Sequence, residues 1–423
     1  LYRQKRFGDV VSAGGSGLAD LASLTTTFLM SENLPDFSNT EIAFAHLSDT
    51  ELKRTAWLFS MMNRPALVKV GSHLGLWAVE WNLPFAEKAI RSTIFPQFVG
   101  GSTLLDAQGN IDRLARINTL TILDYGAEGK ETDQDFNFTM NESMRAIDFA
   151  ARSQGKIPVV STKVTGIARF ALLERIQSAS TLTTAELHEY KNVLKRLDAI
   201  CYHAAQKGVS VFIDAEESWI QDTLDHLVWL MMKRYNRERV VVYNTYQMYR
   251  HDRLQFLMES YDRAIANGFK LGAKLVRGAY MEKERARARK MGYESPINRD
   301  KKQTDDLYNM ALRFCVDHIE HIGLCNASHN ADSTLLLTDL MQRKGLSKNH
   351  PQVLFSQLYG MSDNITFNLA SAGYRVAKYV PYGQVKDVIP YLIRRAQENT
   401  SVTGDAGREY ALVQQEIKRR QLS

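Results

Sequence analysis

Cysteine is scarce. Cys201, Cys315 and Cys325 are odd in number and form no C-x-x-C pair, which excludes a disulfide framework and a cysteine zinc site and fits a reducing compartment. Long apolar runs are missing too, and without about 18 uncharged residues in a row no helix is expected to span a bilayer. The nearest run, Ala66 to Phe85, is broken by Lys69, His73 and Glu80 and carries Trp77, Trp81 and Phe85; it reads as a buried helix in preference to an interfacial one. Neither sign of charge dominates, since 53 basic residues face 47 acidic ones for a net +6. They interleave, as in EKERARARK (Glu282 to Lys290), so a solvated helix face is expected and a nucleic-acid partner is not. His318 and His321 have a metal-like spacing but no further ligands nearby, so no metal is expected. Methionine is absent before Met30, and residues 1–29 have no apolar period. Residues 1–30 are therefore expected to be disordered or a non-native extension, and the lack of a transit-like pattern points to a bacterial source.

What is present is an alternation. Eight short β-rich runs start at Leu120, Pro158, Val209, Val240, Gly272, Ile322, Val353 and Tyr374, separated by segments of helical period. Strands alternating with helices give parallel βαβ units, and eight of them predict an α/β fold closed as a (βα)8 TIM-type barrel over residues 116–402. An open doubly wound sheet would show a glycine-rich turn after its first strand; GGSG at Gly14 to Gly17 lies outside every run and reads as a flexible segment. Residues 31–115 predict a helical arm in which Ser48 and Glu51 make a capping box. An extra helix is expected between Tyr280 and His318, a last helix in VKDVIPYLIRRAQEN, and a polar tail over 403–423.

Barrel active sites lie where strands end. Polar residues stand at or past seven of the eight ends: Lys163; Asp214 with Glu216 and Glu217; Asn244 with Gln247; Arg277 with Tyr280; His329 with Asn330; Gln357 with Tyr359; and Tyr379 with Tyr382. A buried lysine or aspartate without a partner costs several kcal/mol, so Lys163 and Asp214, on neighbouring strands, are expected to neutralise one another. On the last helix Tyr391, Arg394 and Arg395 share a face, and Glu398 is placed to orient Arg394. Two adjacent guanidiniums suit a small carboxylate, although a solvated basic turn would have the same spacing.

KLVRGAY (Lys274 to Tyr280), FIDAEES (Phe212 to Ser218), QLYGM (Gln357 to Met361) and KYVPYG followed by YLIRRAQEN (Lys378 to Asn399) resemble the proline dehydrogenase family. The resemblance runs in order from about Asn39 to Val402. It implies a distorted (βα)8 barrel that holds FAD without a Rossmann motif, oxidises L-proline to 1-pyrroline-5-carboxylate by hydride transfer and passes electrons to a membrane quinone. Arg394 and Arg395 would bind the substrate carboxylate, and Lys163, Asp214, Tyr280, Leu358, Tyr379 and Tyr391 would line the proline pocket. Asn244, Lys274, Val276, Gly278, Ala279, Ser328, His329 and Glu398 match positions around the flavin. Lys274 stands for an arginine, Asn244 for a glutamine and Met281 for a tryptophan of the long bifunctional enzymes, as in the short monofunctional branch. The location implied is peripheral on the bacterial inner membrane from the cytoplasm, or on the matrix side of the mitochondrial inner membrane in a eukaryote. Trp77 to Phe85 is the candidate contact. Tyr379 points to proline, because hydroxyproline-preferring members have a smaller residue there. The rival readings are a 4-hydroxyproline dehydrogenase, an aldolase using Lys163 as Schiff-base nucleophile, and a non-enzymatic binding scaffold.

Overall fold

The computed structural model describes residues 34–64, 86–126, 129–400 and 405–422, without the side chains of residues 86, 397–400 and 405–406. Every element described lies within Pro35–Ser423. Before the barrel come α1 (Thr40–Phe44), α2 (Asp49–Met62), α3 (Ala86–Ser92), α4 (Phe95–Phe98) and α5 (Leu104–Arg116). Helix α2 starts where its sequence dictates: Ser48 accepts from the Glu51 amide while the Glu51 carboxylate accepts from the Ser48 amide, which satisfies two otherwise unpaired donors.

All eight β-rich runs become strands: β1 (Leu120–Tyr125), β2 (Val159–Thr162), β3 (Ser210–Ile213), β4 (Val242–Gln247), β5 (Leu271–Val276), β6 (Ile322–Ala327), β7 (Val353–Leu358) and β8 (Val376–Tyr382). They pair in parallel and in chain order, and β1 closes on β8 with Ile122 opposite Tyr379. Side chains alternate along a strand. Ile122, Val159, Phe212, Cys325, Leu354, Ala377 and Tyr379 thus fill the interior, while Leu123, Val160, Val211, Ile213 and Tyr246 face the helical shell.

That shell consists of α6 (Asp133–Ala151), α7 (Phe170–Gln177), α8 (Thr184–Lys207), α9 (Ser218–Tyr235), α10 (Arg253–Ala266), α11 (Met281–Met291), α12 (Lys301–Asp317), α13 (Ala331–Arg343), α14 (Asp363–Ser371) and α15 (Val385–Thr400). The extra helix expected after Tyr280 is α11. Its Glu284 carboxylate accepts from the Ser218 amide (2.7 Å) and hydroxyl (2.6 Å), tying it to the start of α9.

One expectation is corrected. The stretch read as a polar tail contains α16 (Asp405–Arg419), which packs on α1 and α2. Val413 is fully buried there with Tyr410 and Ile417 beside it, a helical apolar period that the polar and charged residues around it hide. Arg420, just past its end, donates to the carbonyls of Phe44 and Leu47. The Trp77 to Phe85 segment lies outside the described residues.

Candidate active site

The C-terminal end of the barrel holds a buried ionic cluster assembled from five strands. Asp214, just past β3, receives the Lys274 ammonium at 2.6 Å and the Ser161 hydroxyl at 2.9 Å on one oxygen. Its other oxygen receives the Tyr379 hydroxyl at 2.7 Å and the Lys163 ammonium at 3.4 Å. Lys163 is also 3.6 Å from Asp124 of β1. The expected neutralisation of Lys163 by Asp214 is thus present, inside a larger set. Two lysines face two carboxylates, and the neighbourhood splits the acids. Burial acts against the charge of Asp214, but Lys274, Lys163 and the hydrogen bonds outweigh it and hold the carboxyl far below its usual range. Asp124 has weaker compensation; burial and the charge of Asp214 push it up to about 6 against the pull of Lys163. One of its oxygens is buried without a hydrogen-bond partner among the described residues. Burial and the two aspartates raise the Tyr379 phenol well above its usual value, so it stays a donor.

A second group lies at the ends of β6 and β7. His329 Nδ1 is 2.9 Å from the Ser362 hydroxyl oxygen. The Ser362 amide and hydroxyl both donate to one oxygen of Glu409 on α16, at 2.9 and 3.2 Å. The Ser362 hydroxyl thus lies between His329 Nδ1 and the Glu409 carboxylate. Burial, with Lys378, Arg395, Arg408 and Arg277 nearby, depresses the His329 pKa well below normal and keeps the ring neutral. Ser362 has φ of +50°, a conformation few side chains adopt, and its two bonds to Glu409 hold it there.

On α15 the Arg395 guanidinium lies over the Tyr391 ring, 5.2 Å from its centroid. Arg395 is buried and Arg394 half-buried. Tyr391 packs with Met361, and Leu358 at the end of β7 joins the same cluster, which brings α15 to the β7 side of the mouth. The Glu398 side chain lies outside the described residues.

Not every expected residue converges. Asn244 faces the helical shell, where its amide donates to Asp225 of α9 at 2.9 Å; strand alternation sends Tyr243, Thr245 and Gln247 inward instead. Gln247, which donates to the Glu216 carbonyl at 2.8 Å, is the β4 residue at the mouth. Gln357, Tyr359 and Tyr382 also face outward, to Thr366, Arg113 and the helical shell. Lys274 lies within the ionic cluster, and Val276, two residues on, is inward at the rim. Ser328 holds the Arg277 guanidinium at 2.8 Å. Tyr280 is half-buried at the start of α11 and Ala279 is exposed. Gly278 has φ of +135°, and a Cβ there would meet the Tyr249 ring at 2.5 Å, so its missing side chain is explained by Tyr249. Asp124 and Ser161 were missed: both read as strand interior, and only the inward parity set by Ile122 and Val159 reveals them.

The proline dehydrogenase family model matches residues 107–408. The chain is 32% identical to proline dehydrogenase 1, mitochondrial, of Dictyostelium discoideum, over 78% of this chain and 65% of that one. It is 32% identical to the hydroxyproline dehydrogenase of Xenopus laevis over 88% of each. A solved structure of proline utilization A from Bdellovibrio bacteriovorus, inactivated by N-propargylglycine, has a TM-score of 0.67 at 20% identity, covering 86% of this chain and 38% of that one. The chain spans between 37% and 65% of the length of five mitochondrial proline dehydrogenases among its relatives.

Proposed function

Because the chain belongs to the proline dehydrogenase family, we propose that it oxidises L-proline to 1-pyrroline-5-carboxylate with FAD and passes the electrons to a membrane quinone from a peripheral position. The observation that carries this reading is the buried, charge-balanced cluster of Asp124, Lys163, Asp214, Lys274 and Tyr379 at the barrel mouth. Residues 116–402 would be the catalytic barrel and 31–115 its helical arm.

The residues present fit a flavin dinucleotide. Arg277 and Arg408 stand near a neutral His329, and their two guanidiniums suit a diphosphate. Gln247, Val276, Ser328 and His329 would hold the group, with Lys274 behind them; Asn244, turned to the shell, drops from this set. FAD supplies the acceptor for the hydride. The chain does the rest. Arg394 and Arg395 grip the carboxylate, Leu358 and Tyr391 pack against the ring methylenes, and the Asp214–Tyr379 contact sets the wall facing them. Of the cluster, Asp124 is the group that changes proton count near neutral pH, and its unpartnered oxygen would take the proton leaving the proline nitrogen. The test is anaerobic addition of L-proline to the flavin-loaded protein. Its visible flavin band bleaches if the reading holds, and a folded, flavin-loaded protein that stays yellow refutes it.

Hydroxyproline oxidation is the second reading, favoured by the even coverage of the Xenopus relative. Against it stands Tyr379, whose hydroxyl is held by Asp214 and whose ring would crowd a 4-hydroxyl group; overpacking costs about 1–3 kcal/mol. Tyr379→Ser is expected to lower kcat/KM for proline and narrow its ratio to that for trans-4-hydroxy-L-proline. A parent that prefers hydroxyproline would reverse the choice.

A further inference from the structure

The opposite, N-terminal end of the barrel carries a half-open pocket of about 560 Å³. Barrels of this class normally fill their interior with layers of side chains, and binding pockets commonly run to roughly 300–1,000 Å³. Ser210, Gly272 and Gly323 are small inward residues two positions before Phe212, Lys274 and Cys325. The Tyr243 ring lies against Gly323, where a Cβ would come within 2.6 Å of its hydroxyl, and Gly272 packs on the β4 backbone, where a Cβ would run into the Val242 carbonyl oxygen. Tyr243 and Phe212, with ring centroids 4.9 Å apart, form an aromatic floor.

The rim has one dominant sign. Lys207, Arg239, Lys270 and Arg375 line the cavity against a single acid, Glu238. Lys207 is paired with Asp148 at 3.2 Å, whereas Arg239, Lys270 and Arg375 form no ion pair among the described residues. Arg375 donates to the Pro351 carbonyl at 2.8 Å, which fixes its direction. Burial pushes the Tyr243 phenol up to about 12, with Arg375 and Arg239 opposing it; Arg375 also acts on Cys325 from below as Lys274 does from above. The positive potential therefore extends into the barrel axis and does not stop at the solvent edge.

We propose that this cavity is a binding site for a compact organic anion bearing two or more carboxylate or phosphate groups. Its charged ends meet Arg239, Lys270 and Arg375, and its carbon body rests on Phe212 and Tyr243. Three separated cations select a multiply charged ligand, and the aromatic floor favours an organic one. This inference is independent of the proposed reaction at the other end.

Calorimetric titration of the flavin-loaded full chain with citrate and with fructose 1,6-bisphosphate separates the carboxylate and phosphate sources. Both titrations are run in an Arg394→Met/Arg395→Met background, so that the mouth arginines cannot contribute. Saturable one-to-one binding of at least one anion, weakened tenfold or more by Arg239→Ala/Lys270→Ala, is expected. Arg239→Glu, at an exposed position, replaces the double variant if that one fails to fold. No saturable binding of either anion, or binding indifferent to the rim changes, overturns the proposal.

Discussion

Asp214 takes two lysines, a serine and a tyrosine on two oxygens, while Asp124, two strands away, has its ion pair with Lys163 at 3.6 Å and weaker help from Tyr379 and Lys274. That inequality fixes opposite pH dependences. Asp214 titrates lower folded than unfolded, so its stabilisation is present above its unfolded pKa and is lost as pH falls. Asp124 is raised from 3.8 to about 6, so the folded state holds a proton the unfolded chain has released, and stability declines as pH rises between those values. A shift of that size is worth about 3 kcal/mol. Asp124→Asn removes the decline: its urea stability relative to the parent is expected to grow by up to about 3 kcal/mol from pH 4 to pH 7, and a flat difference would contradict the assignment. Arg394 and Arg395 are tested differently. Changing either to Met is expected to raise the proline KM strongly, by roughly 2–5 kcal/mol of lost carboxylate binding, with flavin content near normal. Unchanged proline kinetics in both variants would show that the carboxylate is held elsewhere.

Helix α16 links the C-terminal stretch to the mouth. Its inner face carries Val413, with Glu409 and Glu416 buried on either side, and Glu409 sets the Ser362 and His329 hydrogen bonds. Val413→Asp places an unpaired charge in that contact and is expected to cost several kcal/mol locally. Amides of Asp405–Arg419 should then exchange rapidly with solvent while the β-strand amides stay protected; uniform loss of protection would mean that α16 is not a separate docking element. The helix also marks the limit of what could be read from residue order. The eight strands were legible because β-branched runs with turn signals report a parallel sheet directly. Residues 403–423 were not, because a short apolar period among charges resembles a solvated surface until α1 and α2 are folded beside it. The site divides in the same way. Lys163 and Asp214 stand just past strand ends and could be found there, whereas Asp124, Ser161 and Tyr379 lie within strands and depend on parity, which also turns Asn244 to the shell and Gln247 to the mouth.

At the scale of the described chain, residues 37–47 and Arg420 are joined on one side of the barrel. The Phe37 and Asn39 carbonyls accept from Asn364 and Asn368 of α14, at 3.0 and 3.1 Å, while Arg420 reaches the Phe44 and Leu47 carbonyls at 2.8 and 2.9 Å. Phe44 is itself buried between α2 and Val413. Everything that makes these contacts begins after Leu34, so a chain of residues 35–423 keeps each of them. It is expected to fold, melt within a few degrees of the full chain and retain flavin. A chain of residues 48–423 is the informative contrast, because it leaves the Asn364 amide buried without its acceptor, takes one acceptor from Asn368 and two from Arg420, and removes the Phe44 side chain from its cluster. Each buried polar group left unmatched costs about 1–3 kcal/mol, and losing a buried phenylalanine costs about 3–5 kcal/mol. The losses fall on α14 and α16, which support Ser362 and through it His329, so the shorter chain is expected to melt lower and to lose flavin on gel filtration. If residues 48–423 retain flavin as well as residues 35–423, these contacts are a surface convenience and His329 is positioned by the barrel alone.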